Sequence, residues 1–397
     1  MILKRACFVA LLVLPFARSS EAPPADEFTP VVASPLSNST VAFPGTDGKQ
    51  HVVYELVITN TLPTPATLKR IEVINPEKSS APLAQYEGTQ LLSHLRALDN
   101  SEATGPEIEY NGTRIFLIDL AFESRALVPS QIRHRIGVLA ASRPGHEKRT
   151  PVPLSYTIAP VRLDSELREI GAPVRGKRWV VINGCCEVGG VHRSTGLPVN
   201  GGIHFAQRFA IDWMRLANSG HMVNGNASDV HNYVDYDAEV LAVADGTVEA
   251  TLNDLDNQVP GKLPDPSTIT LENVDGNHIV LDLGRGVFAF YAHLKKGSIR
   301  VTLGQRVKRG EVLANLGNTG NTSAPHLHFH LMNNPSVLGA SGVPYVIDRF
   351  TLSGQISEAD FNAAAGLEGN WSKSLFVKGN PRQKEFPMDR AILDFAP

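Results

Sequence analysis

The sequence predicts a mainly β protein with two units in series: an N-terminal β-sandwich, then a second domain of strands. Three observations predict it. Runs rich in β-branched and aromatic residues recur along the chain, separated by turn formers such as Pro44-Gly45-Thr46-Asp47-Gly48 and Asn111-Gly112. One stretch alone, Thr89 to Leu98, carries a helical pattern. Late in the chain, Pro325-His326-Leu327-His328-Phe329-His330-Leu331 sets three histidines at alternate positions.

The first residues read as a secretory signal, assigned to residues 1–22. Lys4 and Arg5 make a positive start, Cys7 to Phe16 is an apolar run too short to span a bilayer, and Ala17-Arg18-Ser19 offers a small-residue cleavage site. The chain is therefore expected to be secreted or periplasmic. No later segment reaches about 18 uninterrupted apolar residues, so no membrane span is expected after cleavage. A Pro/Ala/Glu-rich linker covers about 20 to 28.

Strand-like runs follow at Val52 to Thr59, Lys69 to Ile74, Arg114 to Ile118 and Ile132 to Leu139. Their spacing suits a sandwich over 28–165. His51, His94, His134 and His146 are scattered singly in it and carry no catalytic pattern. A crossing segment at about 152 to 178 leads to a second domain over 179–350. Its expected strands are Trp179 to Asn183, Ala206 to Trp213, Glu239 to Ala244, Thr247 to Leu252, His278 to Leu283, Val287 to His293 and His326 to Leu331, with a hairpin at Gly304 to Leu316. The loop Asn253 to Pro266 is expected to line a cleft, with Ser219-Gly220-His221 and His231 at its rim. Residues 351–397 form an extension expected to wrap the domain or partly disorder.

With 397 residues, 42% hydrophobic and 19% charged, the composition is that of an ordinary globular protein of two or three domains. A net charge of -3 provides no basic stripe, so a nucleic-acid partner is not expected. Export would leave Cys185 and Cys186, adjacent in sequence. They either form a vicinal disulfide or stay reduced. Joint zinc ligation is disfavoured, because neighbours on a strand face opposite ways.

The alternating histidines point to metal chemistry. On a strand, His326, His328 and His330 share one face, each about 7 Å from the next. Neutral imidazole is the commonest metal ligand. Asp212 ends an apolar strand, where a lone carboxylate is costly without a partner.

Over roughly residues 190 to 335 the chain resembles the lysostaphin/LytM-type zinc metallopeptidases, which cut peptide cross-links in bacterial cell walls. The stretches that carry the resemblance are Glu239 to Val248, Tyr291-Ala292-His293-Leu294, Gly317-Asn318-Thr319-Gly320 and Ala324-Pro325-His326-Leu327-His328-Phe329, in the family's order. The resemblance implies an antiparallel LytM-like fold, a Zn2+ cofactor, and peptidoglycan peptides as substrate, with protein substrates left open. It makes Asp212 and His328 zinc ligands and gives His293 and His326 to catalysis, with the division of their roles open. His330 stands where the family often has Glu and is read either as backing a metal ligand or as structural.

One family feature is missing. The usual His-x-x-x-Asp would put a histidine four residues before Asp212, where the chain has Arg208. His204, eight residues ahead, would lie roughly 26 Å away along a continuous strand. His192 is the preferred substitute. A hairpin centred on Asn200-Gly201 would set it across from about residues 210 to 212, within about 5 Å of its partner. The stretch from His192 through Trp213 also resembles an exported branch of the family. The metal set is thus His192, Asp212 and His328, with His204 as the alternative. An active endopeptidase is the leading function. A metal-free relative that binds or regulates other wall hydrolases is the alternative. The oligomeric state is not legible.

Overall fold

The computed structural model describes residues 26–397 apart from 38, 79–80, 144, 147, 364–366 and 368. The signal-peptide assignment at 1–22 lies outside them. The fold is mainly β, as expected.

Two sheets form the front half. One runs in the order Val31–Pro35, Gln50–Asn60, Thr113–Phe122, Leu95–Arg96. The other runs Ser39–Val41, Val152–Asp164, Gln131–Ala140, Ala66–Ile74, Ala84–Glu87. Their inner faces bury one apolar cluster that includes Tyr54, Leu56, Ile58, Ile71, Phe116, Ile118 and Ile136. Each such side chain stabilises the fold by about 1.5–3 kcal/mol on burial. Residues 152–164, expected as a crossing, are a sandwich strand paired with Gln131–Ala140. The helix is shorter than expected, Gly88–Ser93, because Leu95–Arg96 turns away to pair with Thr113–Phe122.

The second half is organised by one long sheet. Its order is Arg168–Ile170, Tyr345–Gln355, Ala391–Asp394, Trp179–Ile182, Ile211–Arg215, Leu327–Met332, Phe288–Leu294, Asn277–Asp282, Gly246–Leu252, Arg306–Val307. The expected extension belongs to this sheet. Ala391–Asp394 is inserted between Trp179–Ile182 and Tyr345–Gln355, and Leu375–Glu385 pairs with Tyr345–Gln355. Buried Ala391, Ile392 and Leu393 explain the placement, since an apolar run cannot remain solvated at low cost. The expected hairpin at 304–316 is also corrected. Arg306–Val307 pairs with Gly246–Leu252, whereas Val312–Asn315 pairs with Glu239–Leu241, so the two strands go to different sheets.

The two halves share a core. Phe43 and Val53 of the sandwich belong to the same buried cluster as Phe209, Cys185, Cys186 and Phe386. Phe43 meets Phe209 edge-on at 5.5 Å between ring centres. Cys185 and Cys186 are paired as a vicinal disulfide in this structure, one of the two alternatives left open by the sequence. Among the described residues no helix is long and apolar enough to cross a membrane.

Candidate metal centre

The centre of the long sheet positions the site. Ile211–Arg215 lies between Trp179–Ile182 and Leu327–Met332, and its register sets Asp212 opposite both Ile182 and His328. His328 is in turn opposite Ala292 on Phe288–Leu294. Directly opposed residues have Cβ atoms about 5 Å apart. His328 Nδ1 accordingly lies 2.9 Å from Asp212 Oδ1. Leu327–Met332 begins one residue after His326, which still shares the face and sets Nε2 3.3 Å from Asp212 Oδ1. His330 completes the row, with Nδ1 3.0 Å from His328 Nε2, and its own Nε2 is buried without a partner.

His192 reaches this row, but by a different route from the one expected. The Asn200-Gly201 hairpin forms, pairing Leu197–Val199 with Gly202–His204, and its ladder stops there. Residues 206–209 form a turn closed by Ala210 N–H on Gln207 O, so the expected strand from Ala206 starts only at Ile211. His192 sits on its own turn, where Arg193 N–H donates to Gly190 O. Its Nδ1–H donates to the Ala210 carbonyl at 3.2 Å, which leaves Nε2 as the bare nitrogen, 3.4 Å from Asp212 Oδ2. His204 pairs opposite Leu197 and stays outside the cluster.

His293 is delivered by a break in the sheet. The register between Asn277–Asp282 and Phe288–Leu294 shifts beside it, and His293 takes φ +60°, a conformation uncommon for a residue with a side chain. Such strain typically costs about 1–3 kcal/mol and persists where surrounding contacts enforce it. Those contacts are His293 N–H on Asp275 O at 3.1 Å and Nδ1–H on Thr319 O at 2.7 Å. Thr319 belongs to the Gly317–Gly320 loop. That loop approaches residues 274–277 so closely that a Cβ on Gly276 would fall 2.1 Å from Thr319 O.

The electrostatics separate these groups. Burial alone would raise the Asp212 carboxyl. The nearby His192 and His326, with hydrogen bonds from His326 and His328, hold it well below the usual carboxylate range. Burial pushes His328 down to about 4 and holds His293 and His330 well below the usual imidazole range. His326 is raised despite burial, because Asp212 stabilises its charged form. A carboxylate facing imidazole nitrogens is a donor set suited to zinc. Ligand atoms of His192, Asp212 and His328 lie within 4.8 Å of one another. His192 shows the arrangement of a ready ligand, with one nitrogen committed to a carbonyl and the other free toward the carboxylate. These residues fit a zinc ion.

The site opens into a cleft of about 840 Å³, whose walls include His192, Asp212, His293, His326 and His328 together with Leu263, Ile269 and Leu271. Of the loop expected to line the cleft, Asn253 to Pro266, Leu263 does so; the rest of that wall comes from the residues that follow, Ile269, Thr270, Leu271 and Val274. His221 and His231 do not line it. His221 meets Asn370, and His231 bonds Asp229.

This arrangement agrees with a family match. Residues 229–338 match the family described as Peptidase family M23. The chain carries an M23 peptidase domain. His293, His326 and His328 lie inside the matched span, whereas His192 and Asp212 lie upstream of it. The chain is similar to an "Uncharacterized metalloprotease" of Haemophilus influenzae, at 34% identity over 121 residues, 30% of this chain and 21% of that protein. It is also similar to the "Peptidoglycan DD-endopeptidase ShyA" of Vibrio cholerae, at 42% identity over 57 residues, 14% of this chain and 13% of that one. A third relative is the "Glycyl-glycine endopeptidase ALE-1" of Staphylococcus capitis, at 45% identity over 60 residues, 15% of this chain and 16% of that one. The chain thus spans about a fifth or less of the length of each.

Sequence reasoning missed several residues that shape the candidate site. Asn183, at φ +55°, donates from Nδ2 to Asp212 Oδ2 at 2.7 Å. Thr322 Oγ1 lies 3.3 Å from His326 Nδ1. Asp235 is buried, has neither carboxylate oxygen hydrogen-bonded, and is pushed by burial up to about 8. None has a sequence signal, since each is an ordinary polar residue until the fold places it.

Proposed function

We propose that this protein is an exported zinc endopeptidase that hydrolyses peptide bonds of peptidoglycan, in stem or cross-bridge peptides. The observation that carries the reading is the His192 geometry. A chain lacking the usual histidine before Asp212 still directs a bare imidazole nitrogen at that carboxylate, so three donors are kept. An inert regulator would have no need of the replacement. The name of one relative, a peptidoglycan DD-endopeptidase, supports the substrate class, that of another, a glycyl-glycine endopeptidase, supports peptide-bond hydrolysis, and the N-terminal residues support export.

His192, Asp212 and His328 would hold the zinc, which supplies Lewis acidity for carbonyl polarisation and water activation. The chain's own groups do the rest. His293 and His326 each commit Nδ1–H to a backbone carbonyl, of Thr319 at 2.7 Å and of Ala324 at 2.8 Å. Proton transfer is thereby confined to their Nε2 atoms. Both rings line the cleft, 4.7 Å apart between centres, so one can accept a proton from water while the other delivers one to the departing amine. A cation beside Asp212 would neutralise part of the charge that now raises His326, bringing that ring toward the neutral form.

The test is zinc content of the purified chain, followed by digestion of purified cell-wall sacculi. About one zinc and release of new amino groups, both lost on chelation, support the reading. A chain that takes up zinc but cleaves neither sacculi nor their soluble peptides would refute it.

A further inference from the structure

We propose that Glu55 of the sandwich positions the metal ligand His192, which makes the front domain a working part of the metal centre. The proposal rests on the reading of His192 as a ligand. Glu55 lies in Gln50–Asn60, and its side chain is 1% exposed. Arg193 Nη1 donates to Glu55 Oε1 at 2.5 Å, and Arg208 Nη2 donates to Glu55 Oε2 at 2.6 Å. Arg193 Nη2 also donates to the carbonyls of Tyr54 and Ile118, on two neighbouring sandwich strands.

The two arginines are where a positioning device would need to be. Arg193 is the residue after His192. Arg208 lies two residues before Ala210, whose carbonyl receives the His192 Nδ1–H. One carboxylate therefore fixes both the backbone beside the ligand and the turn that orients its ring. Arg208 also occupies the place where the usual pattern has its histidine, and here that side chain points to the sandwich. Buried charges of this kind are weakly screened, and removing one partner leaves the others uncompensated. Taking away Glu55 would strand two guanidinium groups.

Further contacts hold the same segment from the same side. Asn100 and Gly196 exchange hydrogen bonds, with Gly196 N–H on Asn100 Oδ1 at 2.9 Å. Arg96 Nη2 donates to Val188 O. Phe205 packs with Ile115 and Leu117 of the sandwich. The loop bearing His192 is thus braced at residues 188, 193, 196, 205 and 208 by the front domain.

The experiment follows release of zinc from the loaded full chain to a chromophoric chelator, with far-UV circular dichroism on each variant. Parent, Glu55→Gln, Glu55→Asp, Asn100→Ala and the sandwich-core control Ile71→Ala are compared. Glu55→Gln should release zinc about 10–100-fold faster, the range for outer-shell partners of metal ligands. Glu55→Asp should recover part of the loss, Asn100→Ala should accelerate release several-fold, and Ile71→Ala should stay within about twofold of the parent. Unchanged release in Glu55→Gln and Asn100→Ala overturns the proposal, as does equal acceleration in Ile71→Ala. Should Glu55→Gln fail to fold, Asn100→Ala against Ile71→Ala decides. A parent that holds no zinc, or whose release ignores His192→Ala, refutes the metal-centre reading itself, before any Glu55 variant is considered.

Discussion

Asp212 and His328 face each other across adjacent antiparallel strands, with His328 Nδ1 2.9 Å from Asp212 Oδ1. Every other group of the site is arranged around this pair. His192 approaches the second Asp212 oxygen, Oδ2, which also accepts the Asn183 amide. His326 approaches the first, and His330 backs His328 from behind.

The pair's role can be read from metal content. Asp212→Asn keeps the shape and removes the charge, His328→Ala removes a donor, and His192→Ala removes the proposed replacement ligand. Each should drop bound zinc from about one per chain to a small fraction, measured by elemental analysis after dialysis. His204→Ala should keep it. Zinc lost on changing His204 and kept on changing His192 would reverse the ligand assignment.

His293 and His326 should behave differently from the ligands. Replacing either with Ala is expected to leave zinc bound and lower turnover by about 10²–10⁴-fold, the scale of general acid–base catalysis. Elemental analysis beside a peptide-cleavage assay separates the two effects. Metal loss in either variant would move that residue into the ligand set.

The Gly276 contact predicts a coupled loss of stability and activity. Gly276 has φ +64°, and a Cβ there would strike the Thr319 carbonyl that anchors His293. Gly276→Ala should cost at least about 1–3 kcal/mol, from the strained backbone and the forced loop displacement. Denaturant unfolding measures the first and turnover the second. A variant as stable and as active as the parent would show that this close approach does not matter.

Two sandwich histidines predict opposite pH responses. His51 is partly desolvated, which lowers it, but hydrogen bonds with Asp119 and Asp47 win and raise it to about 9. A folded value above the unfolded one gives stability that is complete below about 6.5 and lost as pH rises through about 9. His134 is pushed by burial down to about 3. Below about 6.5 the unfolded chain takes up the proton first, so stability present above that pH is lost as pH falls toward 3. Thermal melts of the chelated chain should therefore weaken on both sides. His51→Gln should flatten the alkaline side and His134→Leu the acid side. An unchanged alkaline limb in His51→Gln would contradict the first assignment.

Local pattern and chemistry were enough to read much of this protein from sequence. Alternation and turn dipeptides announced the β architecture and most strands, because side-chain period and turn formers are local properties. The His-x-His-x-His row announced the candidate metal face for the same reason, and Asp212 stood out as a carboxylate at the end of an apolar run. Tertiary structure decided what depends on distant segments meeting. It set Asp212 opposite His328, although 116 residues separate them, and it drew residues 391–394 into the middle of the sheet. It also brought His192 to Asp212 from a turn rather than along the hairpin, since the ladder ends at His204 and a side chain, not a strand pair, spans the gap to Ala210. Most of all it gave Arg208 a purpose. In sequence that residue is a missing histidine; in the fold it is half of a clamp on Glu55, because a buried guanidinium must find its counter-charge wherever the packing places one.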